Sequence, residues 1–190
     1  MASDTRERMI GAASVLMRER GYDGTGFRDV VASAGAARGA IYHHFPGGKR
    51  QLGGEVAAAM GAMIGDQVEL ICATLAPLQA VQEILALAEA VLIRGDLVPG
   101  CSIAAVALAA EDPDGALRAA ADLVFTRWEH ALASCLGRAG VSAESAANYA
   151  TTAMAGIEGG VILCRARGNA APFAQVRAGL LDHLRAISTA

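Results

Sequence analysis

The chain is expected to be all-α, and three observations carry that expectation. Ala, Leu, Met, Arg and Glu dominate, apolar residues recur at helical spacing, and no sustained period-two run rich in β-branched residues occurs. Of the 190 residues, 54% are hydrophobic but only 4% are aromatic, and 43 are alanine. A core of small and aliphatic side chains follows, and disorder is excluded.

Ser3 and Asp4 are placed to cap a first helix running to about Arg20, with Met9, Ala13, Leu16 and Met17 on one face and Gly21 ending it. Thr25 is placed to cap a short second helix, in which Phe27, Val30, Val31 and Ala34 form one stripe. Gly35 closes it, and a third short helix over about 37–45 is stopped by Pro46-Gly47-Gly48. A long helix from about Lys49 to Leu75 carries Val56, Met60, Met63, Ile64, Val68, Ile71 and Leu75 on one face, and Pro77 interrupts it. Next come a helix from Leu78 to Arg94, a loop from Gly95 to Gly100 and a short apolar helix from Cys101 to Ala110. Asp112-Pro113 reads as the cap and first-position proline of a helix to about Leu136, with Leu117, Ala121, Val124, Trp128 and Cys135 inward. Ser142 caps the next, to about Arg167, and Pro172 opens the last, striped by Val176, Leu180, Leu184 and Ile187.

The net charge of −3 hides an asymmetry: residues 1–52 sum to +3 and residues 53–190 to −6. A basic head precedes an acidic body, and we place the domain boundary there, with a shared long helix joining the two parts. The longest run free of charge, Leu97 to Ala110, is 14 residues. That is too short for a bilayer, so no membrane partner is expected. Asp4, Arg6 and Glu7 precede any apolar run, the wrong order for a secretory signal, and a cytoplasmic protein is expected. Cys72, Cys101, Cys135 and Cys164 lack any C-x-x-C spacing and read as small core residues rather than zinc ligands or disulfides.

The stretch Phe27 to Phe45, FRDVVASAGAARGAIYHHF, has the spacing of a helix-turn-helix. Val30, Val31, Ile41 and Phe45 can pack the two helices at a fixed angle. The outer face of the second, with Ala37 at its start and then Arg38, Gly39, Tyr42 and His43, is left free to enter a major groove. Arg38 suits bidentate contact with guanine, Gly39 permits close approach, His43 can reach a base edge or phosphate, and Tyr42 offers a hydroxyl to phosphate. Thr25, Arg28 and Lys49 are placed as flanking phosphate clamps.

The run Gly21 to Leu52, GYDGTGFRDVVASAGAARGAIYHHFPGGKRQL, resembles the N-terminal DNA-binding domain of the TetR family of bacterial repressors. Gly21, Tyr22, Thr25, Ala34, Gly35, Gly39, Tyr42, Phe45 and Lys49 stand at the family's positions. Ala36 and Ala37 depart from it, replacing a β-branched residue and a serine, which removes an N-cap hydroxyl from the recognition helix. HHFPGGK and GCSIAAVALAAE further resemble the subgroup that includes lincomycin-resistance repressors. The resemblance implies a homodimer on palindromic double-stranded operator DNA, released when a small hydrophobic or drug-like effector binds the C-terminal body, with no cofactor.

Gly156 and Gly160 with Ala150 and Ala153, joined by Val176, Leu180 and Leu184, allow close helix approach. They pack either within the chain or as a four-helix bundle between subunits, and the resemblance favours the dimer. Met60, Met63, Ile64, Gln67, Cys101, Ile103, Val106, Phe125, Trp128, Tyr149, Met154 and Glu158 mix adaptable apolar groups with few polar handles, which suits an effector pocket and equally a helical core. Catalysis finds little support. Gly48-Lys49-Arg50 lacks the rest of a P-loop, and His43, His44, His130 and His183 have no metal-ligand spacing. The alternative is a helical-bundle enzyme or small-molecule-binding protein with an incidental helix-turn-helix.

Overall fold

The computed structural model describes the backbone of residues 2–93 and 100–188, and side chains within that range from residue 4 onward. The cap expected at Ser3, the helix end expected at Arg94 and the loop expected from Gly95 lie outside them. Among the described residues every regular element is a helix: α1 Ala2–Arg20, α2 Phe27–Ser33, α3 Ala40–His44, α4 Gly48–Thr74, α5 Pro77–Leu92, α6 Ser102–Ala107, α7 Ala116–Arg138, α8 Ala143–Arg167 and α9 Ala171–Ser188.

At α8 local signals set both boundaries and the expectation holds. The Ser142 hydroxyl accepts the Ser145 amide at the start of α8, and Gly168 ends that helix at φ +67°, a conformation that costs glycine nothing. Two starts differ. Helix α1 already runs at Ala2, so Asp4 lies within its first turn and pairs with Arg8 at 3.6 Å rather than capping. Helix α7 begins at Ala116 and not at Pro113, because Gly115 takes φ +71°. Asp112 still caps from a distance, its two carboxylate oxygens accepting the Leu117 and Arg118 amides at 3.1 and 3.0 Å. Those amides and the Arg118 guanidinium hold its carboxyl below the usual carboxylate range.

The chain forms two compact units: Met1–Met63 with Cys101–Val124, and Ile64–Gly100 with Phe125–Ala190. The first therefore holds more than the expected head of residues 1–52, because α6 and the first turns of α7 belong with it. Its core gathers Met9, Ala13, Met17, Val30, Ile41, Phe45, Leu52, Val56, Val106 and Leu117. Burying a side chain the size of Phe45, which is wholly enclosed, is worth about 2–3 kcal/mol. The second unit centres on Leu85, Leu136, Tyr149, Phe173 and Leu184.

The buried face of α4 keeps Val56 and Val68 of the expected stripe, whereas Met60, Ile64, Ile71 and Leu75 are only partly buried. Gly53, Val56, Ala57, Gly61, Gly65, Val68 and Cys72 face inward, whereas Met63 is 51% exposed. The small residues turn in because large ones oppose them. A Cβ on Gly53 would stand 2.6 Å from the Tyr22 ring and 3.1 Å from Leu117, and one on Gly65 would stand 3.0 Å from the Trp128 indole nitrogen. By length and composition α4 is apolar enough to cross a bilayer, which a search for charge-free runs misses. Its glycine face is nonetheless occupied by protein side chains.

Candidate nucleic-acid interface and effector body

The reading head is assembled from the α2–α3 turn outward. Gly35 at φ +60° lets the Ala36 amide turn back to the Val31 carbonyl at 3.1 Å, so α2 stops sharply and the chain can start α3 at an angle. Val30, Val31, Ile41 and Phe45 are buried as expected, which fixes the two helices on one core. The recognition helix is shorter than the expected 37–45. Gly39 is its N-cap, no side chain caps it, and residues 37–39 form a turn, because Ala36 and Ala37 bring no hydroxyl to the first free amides.

Arg28, Ala37, Arg38, Gly39, Tyr42 and His43 are all exposed. Tyr42, 68% exposed, is steadied by an edge contact with Phe27, ring centroids 5.7 Å apart. Neither Arg28 nor Arg38 has an ion pair or hydrogen bond among the described residues, so both cations are available to a partner. Gly39 has an ordinary φ of −79°, and a Cβ there would meet nothing within 4 Å. Among the described residues no neighbour requires glycine at that position.

Two expected phosphate clamps are otherwise engaged. Thr25 is buried and its hydroxyl donates to the Gly21 carbonyl at 2.8 Å, so it neither caps α2, whose N-cap is Gly26, nor faces outward. The Lys49 ammonium lies 4.6 Å from the centroid of the Tyr22 ring and donates to the Asp23 carbonyl at 3.1 Å. It ties the start of α4 to the α1–α2 turn.

The residues expected for the pocket are divided between the two units. Met60, Met63, Cys101, Ile103 and Val106 fall in the first unit, where Val106 is wholly buried in the core and Ile103 nearly so. Ile64, Gln67, Phe125, Trp128, Tyr149, Met154 and Glu158 fall in the second. There Trp128 is 7% exposed and meets Phe125 edge-on at 5.9 Å. Arg127 beside it holds Glu69 through two bonds of 2.7 and 2.8 Å and Asp66 through one of 2.6 Å. Tyr149 uses its hydroxyl inside the chain. Wholly buried, it donates to the Leu180 carbonyl at 3.0 Å, and burial pushes its phenol up to about 12.

The residues expected at a dimer surface are used inside the chain. A Cβ on Gly156 would meet Val176 and Leu180, and one on Gly160 would meet Phe173 and Val176, all at 3.3–3.6 Å. Ala153, Leu180 and Leu184 are buried as well. Small residues at helical spacing mark close packing without saying which helix approaches. Among the described residues no group of three or more His, Cys, Asp or Glu side chains could hold a metal ion.

Residues 9–56 match the family model of bacterial regulatory proteins of the tetR family. Residues 77–178 match that of the C-terminal domain of LmrA/YxaF-like transcriptional regulators. The chain belongs to the TetR family of transcriptional regulators. An HTH-type transcriptional regulator of Mycobacterium tuberculosis, Rv0196, is 34% identical over 95% of this chain and 94% of its own. LmrA of Bacillus subtilis is 28% identical over 96% and 97%. The fold agrees: a TetR regulator from Legionella pneumophila superposes with a TM-score of 0.84 at 22% identity, covering 92% of this chain and 94% of the other. For this TetR-family regulator, the exposed arginines stand on the helix-turn-helix of a family that binds DNA. Phe125, Arg127 and Trp128 stand in the part matched by the LmrA/YxaF-like domain.

Proposed function

We propose that this TetR-family regulator is a ligand-responsive repressor. It works in the cytoplasm as a homodimer on palindromic double-stranded DNA and leaves that DNA when a small hydrophobic or drug-like molecule binds the second unit. The observation that carries the reading is the pairing of unengaged Arg28 and Arg38 with the open Gly39 on one exposed surface. Arg38 reads guanine through its two-pronged guanidinium, Gly39 and Ala37 let the backbone approach, His43 reaches a base edge or phosphate, and Arg28 and Tyr42 hold phosphates. Lys49 acts by fixing the start of α4.

For the second copy, the outward face of α8 offers Ala155, Gly159, Ile162 and Ala166, with Ala174, Ala178 and half-buried Leu181 on α9. A Cβ on Gly159 would meet nothing within 4 Å in this chain, so a neighbouring helix has room to approach. Two heads related by a two-fold read a two-fold site. Ile64, Gln67, Phe125, Trp128, Met154 and Glu158 are the effector candidates. An effector that lowers DNA affinity must itself bind more weakly to the DNA complex.

The test is fluorescence anisotropy of the full chain with the DNA upstream of its own gene over a range of salt. Each phosphate contact should lower log K by about 0.9 per decade of salt. Absence of binding to that fragment at low salt overturns the reading.

A further inference from the structure

We infer that Asp23 is a positioning residue through which the α6–α7 link holds the DNA-reading helices in register, an inference that rests on the repressor reading above. Asp23 lies in the turn between α1 and α2 and engages two other segments of the first unit. Its carboxylate accepts the Ala110 amide, in the link, at 3.0 Å, and its carbonyl accepts the Lys49 ammonium, at the start of α4, at 3.1 Å. The far end of the same link is held by an ion pair between Asp114 and Arg50 of α4. The link therefore lies across the head as a strap fixed at both ends.

The turn under this strap governs where α2 begins. Thr25 closes it, its amide donating to the Tyr22 carbonyl at 3.1 Å and its hydroxyl to that of Gly21. Arg20 at the end of α1 reaches Asp29 of α2 at 3.7 Å. Tyr22 is gripped between the Lys49 ammonium and Gly53. The turn has little freedom of its own, so moving the link moves the start of α2 with it. Helix α7 runs on from the strap without a break into the second unit, so a change there can reach the link along one helix.

Charge and position make opposite predictions at Asp23. Removing a negative charge from the basic head strengthens phosphate attraction whichever residue replaces it. Losing the acceptor for Ala110 releases the strap. Asp23→Asn keeps an oxygen for that amide and Asp23→Ala does not. The two variants and the wild type are compared by anisotropy on the upstream DNA, and by hydrogen exchange of the DNA-free protein, which also reports whether each variant is folded. The inference expects Asp23→Ala to bind about tenfold more weakly and Asp23→Asn to bind at least as tightly as wild type. Exchange should quicken in Asp23→Ala at Ala110 and across residues 27–44, but not in α8, and Asp23→Asn should restore it. Tighter DNA binding by both variants, or faster exchange confined to Ala110, overturns it. The exchange arm needs no DNA, so a wild type that binds no upstream fragment refutes the repressor reading while exchange still decides on the strap.

Discussion

Gly54 and Gly61 share helix α4 but differ in what a methyl group would meet there. At Gly54 a Cβ finds nothing within 4 Å, whereas at Gly61 it would stand 2.8 Å from Val124 Cγ1 and closer still to Cγ2. Val124 is buried and β-branched, so it cannot swing away into solvent. Replacing a mid-helix glycine by alanine gains about 1 kcal/mol of helix propensity at either site. Overpacking at Gly61 costs about 1–3 kcal/mol against that gain. The propensity term cancels between Gly54→Ala and Gly61→Ala, and their difference isolates the packing term. For a chain of this length each kcal/mol moves Tm by about 2–4 °C. Thermal melts at one protomer concentration should therefore place Gly54→Ala slightly above wild type and Gly61→Ala clearly below Gly54→Ala. Adding Val124→Ala to Gly61→Ala removes the opposing methyls and should cost less than it does alone. If Gly61→Ala melts with or above Gly54→Ala, the glycine face of α4 is not a packing requirement.

Three further outcomes are expected. Arg38→Ala should relax discrimination at one base position per half-site, costing about 1–3 kcal/mol there, whereas Arg28→Ala should weaken all sequences alike; anisotropy against single-base variants of the bound fragment separates them. Asp112→Asn should lower stability at neutral pH. Because the native carboxyl titrates below its unfolded value of about 3.9, its contribution is present above that pH and fades as pH falls through the native value, so the gap between the variants' denaturant midpoints should close in acid. Gly159→Arg, built outward into space the chain leaves empty, should leave helicity intact but yield monomers in sedimentation at micromolar concentration.

Helix α8 was legible because one residue's chemistry decides each of its boundaries. Ser142 and Gly168 bracket α8 through a hydroxyl and a left-handed backbone, and both signals are local. The head was legible for the same reason, since the Gly35 turn and the Val30, Val31, Ile41 and Phe45 stripe lie within twenty residues. What escaped depended on tertiary partners. Hydrophobic periodicity ranks Met60 and Met63 above Gly61 and Gly65, yet helices approach most closely where side chains are absent. Val106 suits a pocket or a core equally by its sequence neighbours, and it is the packing of α6 with α1 that sets it in a core. Lys49 looked like a clamp until its partner, the Asp23 carbonyl, was in view.

The open glycines show how far such a reading can be pressed. Gly11, Gly39 and Gly54 all sit where a Cβ would meet nothing within 4 Å, and none has a positive φ. Gly11 and Gly54, inside helices, give up stability that alanine would supply, so an empty surround alone distinguishes no function. Gly39 differs through its company. It caps the recognition helix beside an unpaired Arg38 and an exposed Tyr42. A partner that is anionic and must come close to the backbone accounts for both features at once, and DNA is such a partner. Gly54, with Arg50 already paired to Asp114 one turn before it, lacks that second feature, which is why its replacement serves as the control and that of Gly39 should cost DNA affinity.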